Sequence, residues 1–121
     1  MAIESEYFTE AEQTCRCGCG ESDMNPRTIR RFEQARRIAN IPFIISSSFR
    51  CQIHDRAVRK KALIGAHARG YAMDIVCVGS RQRFIILDAL IEAGFIRIGI
   101  AKEFIHADDY PYGDPEVCWL Y

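Results

Sequence analysis

The sequence lacks an excess of charge of either sign. Its 16 lysines and arginines are balanced by 16 aspartates and glutamates, and its pI is near 6.8. Such a chain offers no long-range attraction for nucleic acid or for an anionic membrane surface. The arginine-rich stretch RTIRRFEQARR carries interleaved apolar residues and therefore indicates the solvent-facing side of a helix. We expect no nucleic-acid partner.

Long apolar runs are also missing, so the sequence predicts no membrane span. The first stretch, MAIESEYFTEAEQ, has neither the basic start nor the apolar centre of a signal peptide. We therefore expect a product made in the cytoplasm. It would act elsewhere only after release by another protein or as part of a larger particle.

The sequence shows no linker, internal repeat or low-complexity segment. Its 121 residues are 49% hydrophobic and 26% charged, which is typical of a folded globular chain. This length suffices for one domain with a modest core and is short for two. We predict a single domain over residues 1–121.

Six cysteines are many for this length, but they lack the regular distribution of a secreted disulfide scaffold. Three of them, Cys15, Cys17 and Cys19, crowd into CRCGCG. A structural zinc site normally needs four ligands, and this stretch offers three with no evident fourth. We expect a locally ordered turn here, with a metal knuckle or a redox pair as the alternatives.

Periodicity and turn residues predict an α+β fold in which helices pack against a small, mostly antiparallel sheet. Asn25 followed by Pro26 is a typical helix start, and Gly94 is a typical stop. The predicted elements are a helix from Pro26 to about Asn40, a strand in 42–48, a helix in 49–63, a strand in 70–78, a helix in 80–94, and neighbouring antiparallel strands in 95–101 and 103–109.

Two of these helices have a predicted apolar side. The helix in 49–63 would bury Ile53, Ala57, Val58 and Leu63. The helix in 80–94, with Ser80 as its candidate cap, would bury Phe84, Leu87, Leu90 and Ile91.

Three residues could carry chemistry together: His67, Asp74 and His106. Asp74 lies inside an apolar run, where an unpaired charge is costly to bury. Two imidazoles and one carboxylate are a standard ligand set for catalytic zinc, which keeps a further position open for water. The alternative is a surface or capped histidine, with Asp74 paired to Arg50 or Arg69.

The sequence resembles a known family in three blocks, SSSFRCQIHDRAV, GAHARGYAMDI and EFIHADD. They are similar to the signature blocks of the M15-type (subfamily A) zinc D-alanyl-D-alanine carboxypeptidases, which share their fold with the Hedgehog signalling domain. The family pattern is roughly S-G-Y-R-S-x-x-H-N, then S-x-H-x-x-G-x-A-x-D, then H-x-D. CRCGCG followed by MNP and a helix also resembles small phage and bacterial members.

The resemblance implies roles for single residues. His67, Asp74 and His106 would be the zinc ligands, and Arg50 would face the substrate. Glu103, three residues before the last histidine, would be the general base. Strand parity opposes this role, because residues 103 and 106 point to opposite faces of a regular strand, unless Glu103 lies in the preceding turn.

Other positions match the family less directly. Asp108 matches the H-x-D block and would orient a ligand histidine, or cap a turn with Asp109. His54 matches the histidine after the arginine block and would support the structure. Gly65 stands where the family usually has serine, a residue expected to touch the substrate, so the scissile bond stays open.

The resemblance implies a zinc peptidase that cuts peptide bonds of bacterial peptidoglycan. It would be a D-Ala-D-Ala carboxypeptidase or an endopeptidase of the L-Ala-D-Glu type, acting at the cell wall as a phage lysin or virion component. Its partners would be the peptidoglycan peptide and virion or tail proteins. The alternative is a non-catalytic, Hedgehog-like, zinc-stabilised binding or structural module.

Overall fold

The computed structural model describes residues 1–60 and 65–121. Four helices and five strands follow one another along these residues, and the sheet is mostly antiparallel. The predicted α+β class is therefore confirmed. The elements are α1 (Glu10–Gln13), α2 (Pro26–Ala39), β1 (Ile45–Ser47), α3 (Gln52–Arg59), β2 (Ala72–Val76), α4 (Ser80–Glu92), β3 (Arg97–Ile100), β4 (Phe104–Asp108) and β5 (Val117–Leu120).

Helix α2 begins and ends where its sequence signals predict. The Asn25 side chain accepts hydrogen bonds from the backbone N–H groups of Arg27 and Thr28, and Pro26 opens the first turn. Asn40 closes the helix in the left-handed conformation, with φ of 53°. Both ends satisfy backbone groups that the helix itself leaves without partners.

The sheet has the strand order β1-β2-β4-β3-β5. All neighbours are antiparallel except β3 and β5, which run parallel. The antiparallel pairing of the last two predicted strands is confirmed, whereas β5 was not predicted. It adds a parallel edge strand formed by the last part of the chain.

The two faces of the sheet differ in character. On β4, Ile105 and Ala107 are fully buried in one hydrophobic cluster with Phe32 of α2 and Leu90 of α4. Because side chains alternate along a strand, His106 and Asp108 point to the opposite face. The sheet thus separates the apolar core under the helices from a polar face that carries the site.

Helix α3 does not bury the predicted apolar side. Ile53 is 80% exposed and Val58 is 51% exposed, whereas Asp55 is fully buried. The helix ends at Arg59, followed by Lys60 in the left-handed conformation, and Leu63 lies outside the described residues. The prediction is wrong for Ile53, Ala57 and Val58, all exposed, because α3 turns a carboxylate inward, where charged partners satisfy it.

Helix α4 keeps its predicted extent but differs in its details. Its N-cap is Gly79, with no side-chain hydrogen bond, so the prediction of Ser80 as cap is wrong. Phe84 and Ile91 are mostly exposed, and the buried positions are Ile86, Ala89 and Leu90. No helix in the described ranges is long and apolar enough to cross a bilayer.

Gly70 lies where the loop before β2 packs against the start of α2. Its φ is +83°, and a Cβ there would fall on the backbone carbonyl oxygen of Asp23. We expect Gly70→Ala to lower the free energy of unfolding by about 1–3 kcal/mol more than Gly79→Ala. Gly79 also has positive φ, of +94°, but nothing lies within 4 Å of a Cβ there. Urea unfolding of the two variants measures the difference, and equal losses would contradict the close approach at Gly70.

Candidate metal centre

A row of paired positions crosses four strands on the polar face. In the pairing register, His106 lies between Asp74 on β2 and Gly99 on β3, and Gly99 is paired with Trp119 on β5. A Cβ on Gly99 would collide with the Trp119 indole. Because position 99 has no side chain, the indole reaches His106, with the ring centroids 5.4 Å apart.

His67 reaches this row from the loop before β2. Its carbonyl oxygen accepts hydrogen bonds from the backbone N–H groups of Arg50, in the segment before α3, and of Gly70, in the same loop. Its ring Nδ1 lies 2.7 Å from the carbonyl oxygen of Ser48. The contact between Nδ1 and Ser48 therefore orients the ring, and Nε2 faces Asp74.

Two imidazoles meet at one carboxylate oxygen. His67 Nε2 lies 3.2 Å and His106 Nδ1 lies 3.0 Å from Oδ1 of Asp74. The three ligand atoms all lie within 4.8 Å of one another, and all three residues are buried. The structure thus brings together the three residues that the sequence predicts as ligands.

On each ring, the nitrogen that points away from Asp74 makes a hydrogen bond. These hydrogen bonds determine which tautomer each ring adopts. A carbonyl oxygen only accepts, so His67 donates from Nδ1 to Ser48. His106 likewise donates from Nε2 to the carboxylate of Asp108, 2.6 Å away. In the neutral rings, both nitrogens that face Asp74 then carry lone pairs. Three atoms with lone pairs thus converge, and none of them carries a hydrogen to donate. Zn²⁺ requires ligand atoms of this kind.

When the ring nitrogens that face Asp74 are protonated instead, the same contacts shift the pKa values of these groups. Burial opposes ionisation of Asp74, but hydrogen bonds with His106 and His67 outweigh burial and hold the pKa of its carboxyl well below the usual range. Burial lowers the pKa of His106, but hydrogen bonds to Asp108 and Asp74 outweigh it and raise the pKa. Without a metal, a proton on an imidazole provides the positive charge beside Asp74. A bound cation would provide that charge instead of the proton.

Asp108 holds His106 from behind. Its Oδ1 accepts a hydrogen bond from Arg97 Nε at 2.7 Å and one from the backbone N–H of Tyr110 at 3.1 Å. Burial raises the pKa of Asp108, but the contacts with His106 and Arg97 outweigh burial and lower it. An ionised carboxylate that accepts the Nε2 proton fixes the tautomer that exposes Nδ1.

Arg50 lies beside the three converging residues. Its guanidinium contacts Ser47 Oγ at 3.2 Å, Asp55 Oδ1 at 3.4 Å and Asp74 Oδ2 at 3.6 Å. The fully buried Asp55 also accepts from Arg59 and from the backbone N–H of Gly65. This buried carboxylate therefore holds Arg50 in place, and Arg50 also pairs with Asp74, as the alternative interpretation predicted.

The site opens into a cavity of about 590 Å³. Among the described residues, its ionic lining comprises Arg50, Arg59, Arg97, His67, His106, Asp74 and Asp108. Trp119 and Tyr121 form an aromatic wall, in which the Tyr121 ring lies 5.0 Å from that of Phe104. A cavity of this size, with convergent polar groups and an aromatic wall, is typical of a small-ligand site.

Three further predicted positions are not among the described residues that line the cavity. Glu103 is exposed in the turn before β4 and is not among the described residues that line the cavity. His54 is half-buried, does not line it either, and donates its backbone N–H to Cys51 Sγ. A Cβ on Gly65 would lie 2.7 Å from the Arg59 guanidinium, so that arginine fills the space next to position 65. The role of Glu103 as base stays a prediction.

Several residues of the site were not predicted. Trp119 lies in β5 and Tyr121 directly follows it, and the β-branched and aromatic residues of EVCWLY are the one signal in the sequence. Asp55 follows Arg50 by five residues, but its burial depends on contacts with Arg59 and Gly65. Arg97 alternates with apolar residues in FIRIGIA. This pattern predicts a strand, but it does not reveal the ion pair that Arg97 makes with Asp108.

Comparison with known protein families gives a match over most of the chain. A family model described as Peptidase M15 matches residues 6–108, which include α1 through β4 and all three converging residues. No curated protein and no solved structure matches the chain. The matched range ends at Asp108, so β5 with its aromatic wall lies beyond it.

Proposed function

Because the chain belongs to the peptidase M15 family, we propose that it is a zinc peptidase that hydrolyses peptide bonds of bacterial peptidoglycan. The bond would be that of a D-Ala-D-Ala carboxypeptidase or of an L-Ala-D-Glu-type endopeptidase. The site of action would be the cell wall, reached after release or on a virion. The observation that carries the proposal is the convergence of His67 Nε2, His106 Nδ1 and Asp74 Oδ1 beside a cavity.

In this proposal His67, Asp74 and His106 hold the zinc ion. When bound, zinc supplies a Lewis acid for the scissile carbonyl and lowers the pKa of water. Asp108 keeps His106 in the tautomer that presents Nδ1. Trp119 and Tyr121 shield one side of the cavity from solvent, which strengthens the electrostatic contacts inside it.

Arg50 would hold the substrate. Its guanidinium is oriented by Ser47 and Asp55, so it can face a carboxylate or a carbonyl oxygen without rearranging. Three arginines at the cavity, Arg50, Arg59 and Arg97, face three aspartates, Asp55, Asp74 and Asp108. Among the described residues these charges balance, so a divalent cation would leave this part of the site positive. A positive site favours a peptide with a free carboxylate, such as the stem peptides of peptidoglycan.

Glu103 is proposed as the proton carrier between the attacking water and the leaving amine. A general base typically contributes about 10²–10⁴-fold to the rate, so Glu103→Gln should lower kcat by that factor. Glu92→Gln, an exposed glutamate at the end of α4, is the matched control. Turnover in Glu103→Gln equal to that of the control would show that Glu103 is not the base.

Digestion of purified peptidoglycan tests the function itself. Zinc-loaded and chelator-treated protein are incubated with it, and the soluble products are identified by mass. We expect released D-alanine or a new free amine only with the zinc-loaded protein, and the fragment masses identify the bond. Intact peptidoglycan in the presence of zinc-loaded protein would reject the enzyme.

Two observations favour a non-catalytic module instead. Glu103 is exposed outside the described lining, and the family serine is replaced by Gly65. A zinc-stabilised binding module would keep the metal and lose stability on chelation, yet it would release no product. Co-sedimentation with peptidoglycan under the same conditions then shows binding without cleavage.

A further inference from the structure

A second group of metal-ligating atoms lies outside the cavity. The Sγ atoms of Cys15, Cys17, Cys19 and Cys51 all lie within 4.8 Å of one another. Cys15 and Cys51 are buried, Cys17 and Cys19 are exposed, and all four are free thiols. The sequence offers three of them in CRCGCG, and the fold brings the fourth from the start of α3.

The turn that carries the first three thiols has a backbone fitted to this arrangement. The backbone N–H of Cys15 donates to the carbonyl oxygen of Glu21 at 2.9 Å, which closes the loop. Gly18 and Gly20 have φ of +91° and +79°, with nothing within 4 Å of a Cβ at either position. The glycines are therefore needed for backbone conformation and not for space.

The spacing of the sulfur atoms matches a shared cation. Cys17 Sγ lies 3.5 Å from Cys15 Sγ and 3.7 Å from Cys51 Sγ. Thiolates bind zinc at about 2.3 Å, and tetrahedral geometry then places the sulfurs about 3.8 Å apart. A disulfide requires about 2.0 Å, which is much shorter than either distance.

Backbone donors point at three of the four sulfurs. Cys15 Sγ accepts from the N–H of Cys51 at 3.3 Å, Cys51 Sγ accepts from the N–H of His54 at 3.4 Å, and Cys19 Sγ accepts from the N–H of Glu21 at 3.4 Å. Hydrogen bonds to sulfur favour the thiolate, which is the form that binds metal. Cys51 also caps the N-terminus of α3, where the helix dipole favours negative charge.

We propose that Cys15, Cys17, Cys19 and Cys51 form a closed, structural zinc site that is separate from the His67, Asp74 and His106 site. Four thiolates are a standard structural zinc set, and soft sulfur ligands select zinc over harder divalent ions. Binding releases the thiol protons to solvent. The metal joins the N-terminal turn to the start of α3, where Arg50 directly precedes Cys51.

Zinc stoichiometry tests the proposal. Protein prepared under a thiol reductant and loaded with zinc is desalted, and zinc per chain is measured by elemental mass spectrometry. We expect two zinc ions in the wild type and in Cys118→Ser, which changes an exposed thiol outside the group. We expect one in Cys19→Ser, and one in the double variant His67→Ala, His106→Ala. One zinc in the wild type that is lost with the histidines would overturn the proposal.

Thiol alkylation tests the same site without any substitution. Cys17, Cys19 and Cys118 are all exposed, so iodoacetamide can reach each of these thiols. We expect zinc to slow alkylation of Cys17 and of Cys19 at least tenfold relative to the same thiols in chelator-treated protein, and to leave the rate of Cys118 unchanged. Equal rates at Cys17 and Cys19 with zinc and with chelator, or a disulfide among the four cysteines in the zinc-loaded sample, would overturn the proposal. Because both readouts are independent of peptide hydrolysis, an inactive protein with two zinc ions would reject only the proposed activity.

Discussion

His106→Ala is expected to remove the metal of the cavity and to lower kcat/KM for peptidoglycan hydrolysis by about 10³-fold or more, because zinc contributes several kcal/mol of transition-state stabilisation. His106 offers Nδ1 to the site while Asp108 holds its other nitrogen. Alanine also leaves the Asp74 carboxylate buried with fewer partners. Hydrolysis assays and zinc analysis on the same preparation measure the two effects together.

His54→Ala is the comparison variant for this experiment. It removes another histidine, but one whose ring does not line the cavity. We expect it to keep the zinc content of the wild type, with circular dichroism confirming that both variants fold. Full hydrolysis by His106→Ala with normal zinc content would contradict the ligand assignment.

The second large effect is expected from Arg50→Lys. Loss of one oriented donor to a developing oxyanion typically costs about 10²–10³ in rate, so kcat/KM should fall by that factor. Lysine keeps the charge, but it cannot contact Ser47, Asp55 and Asp74 together as the planar guanidinium does. Steady-state kinetics with a soluble stem peptide measures the loss.

Arg81→Lys provides the control for Arg50→Lys, because Arg81 is exposed at the start of α4. We expect it to hydrolyse the stem peptide as the wild type does, and both variants to retain zinc. A change of less than threefold in Arg50→Lys would mean that Arg50 does not touch the reacting groups. A lower zinc content in Arg50→Lys would instead mean that Arg50 supports Asp74.

The three converging residues were predictable because their signals are local or lie in recognisable blocks. His67 and Asp74 share one loop and strand, and His106 lies in a strand with clear alternation. The ends of α2 were equally predictable, because Asn25, Pro26 and Asn40 act through short-range hydrogen bonds. These features require no knowledge of how distant parts of the chain meet.

Features that depend on distant contacts could not be predicted. Trp119 contacts His106 because β5 pairs with β3 and because Gly99 leaves room, and neither fact is visible in EVCWLY. Asp55 was hidden by the helical pattern around it, since Ile53 and Val58 suggested an apolar contact that α3 does not make. Cys51 completes the thiol group only through the fold, 34 residues after Cys17.

The most direct test of the central claim is an anomalous difference map from crystals of the zinc-loaded protein, recorded on both sides of the zinc absorption edge. We predict a peak within bonding distance of His67 Nε2, Asp74 Oδ1 and His106 Nδ1 that disappears below the edge. Clear density for the three side chains, with direct hydrogen bonds between them and no anomalous peak, would contradict the metal centre.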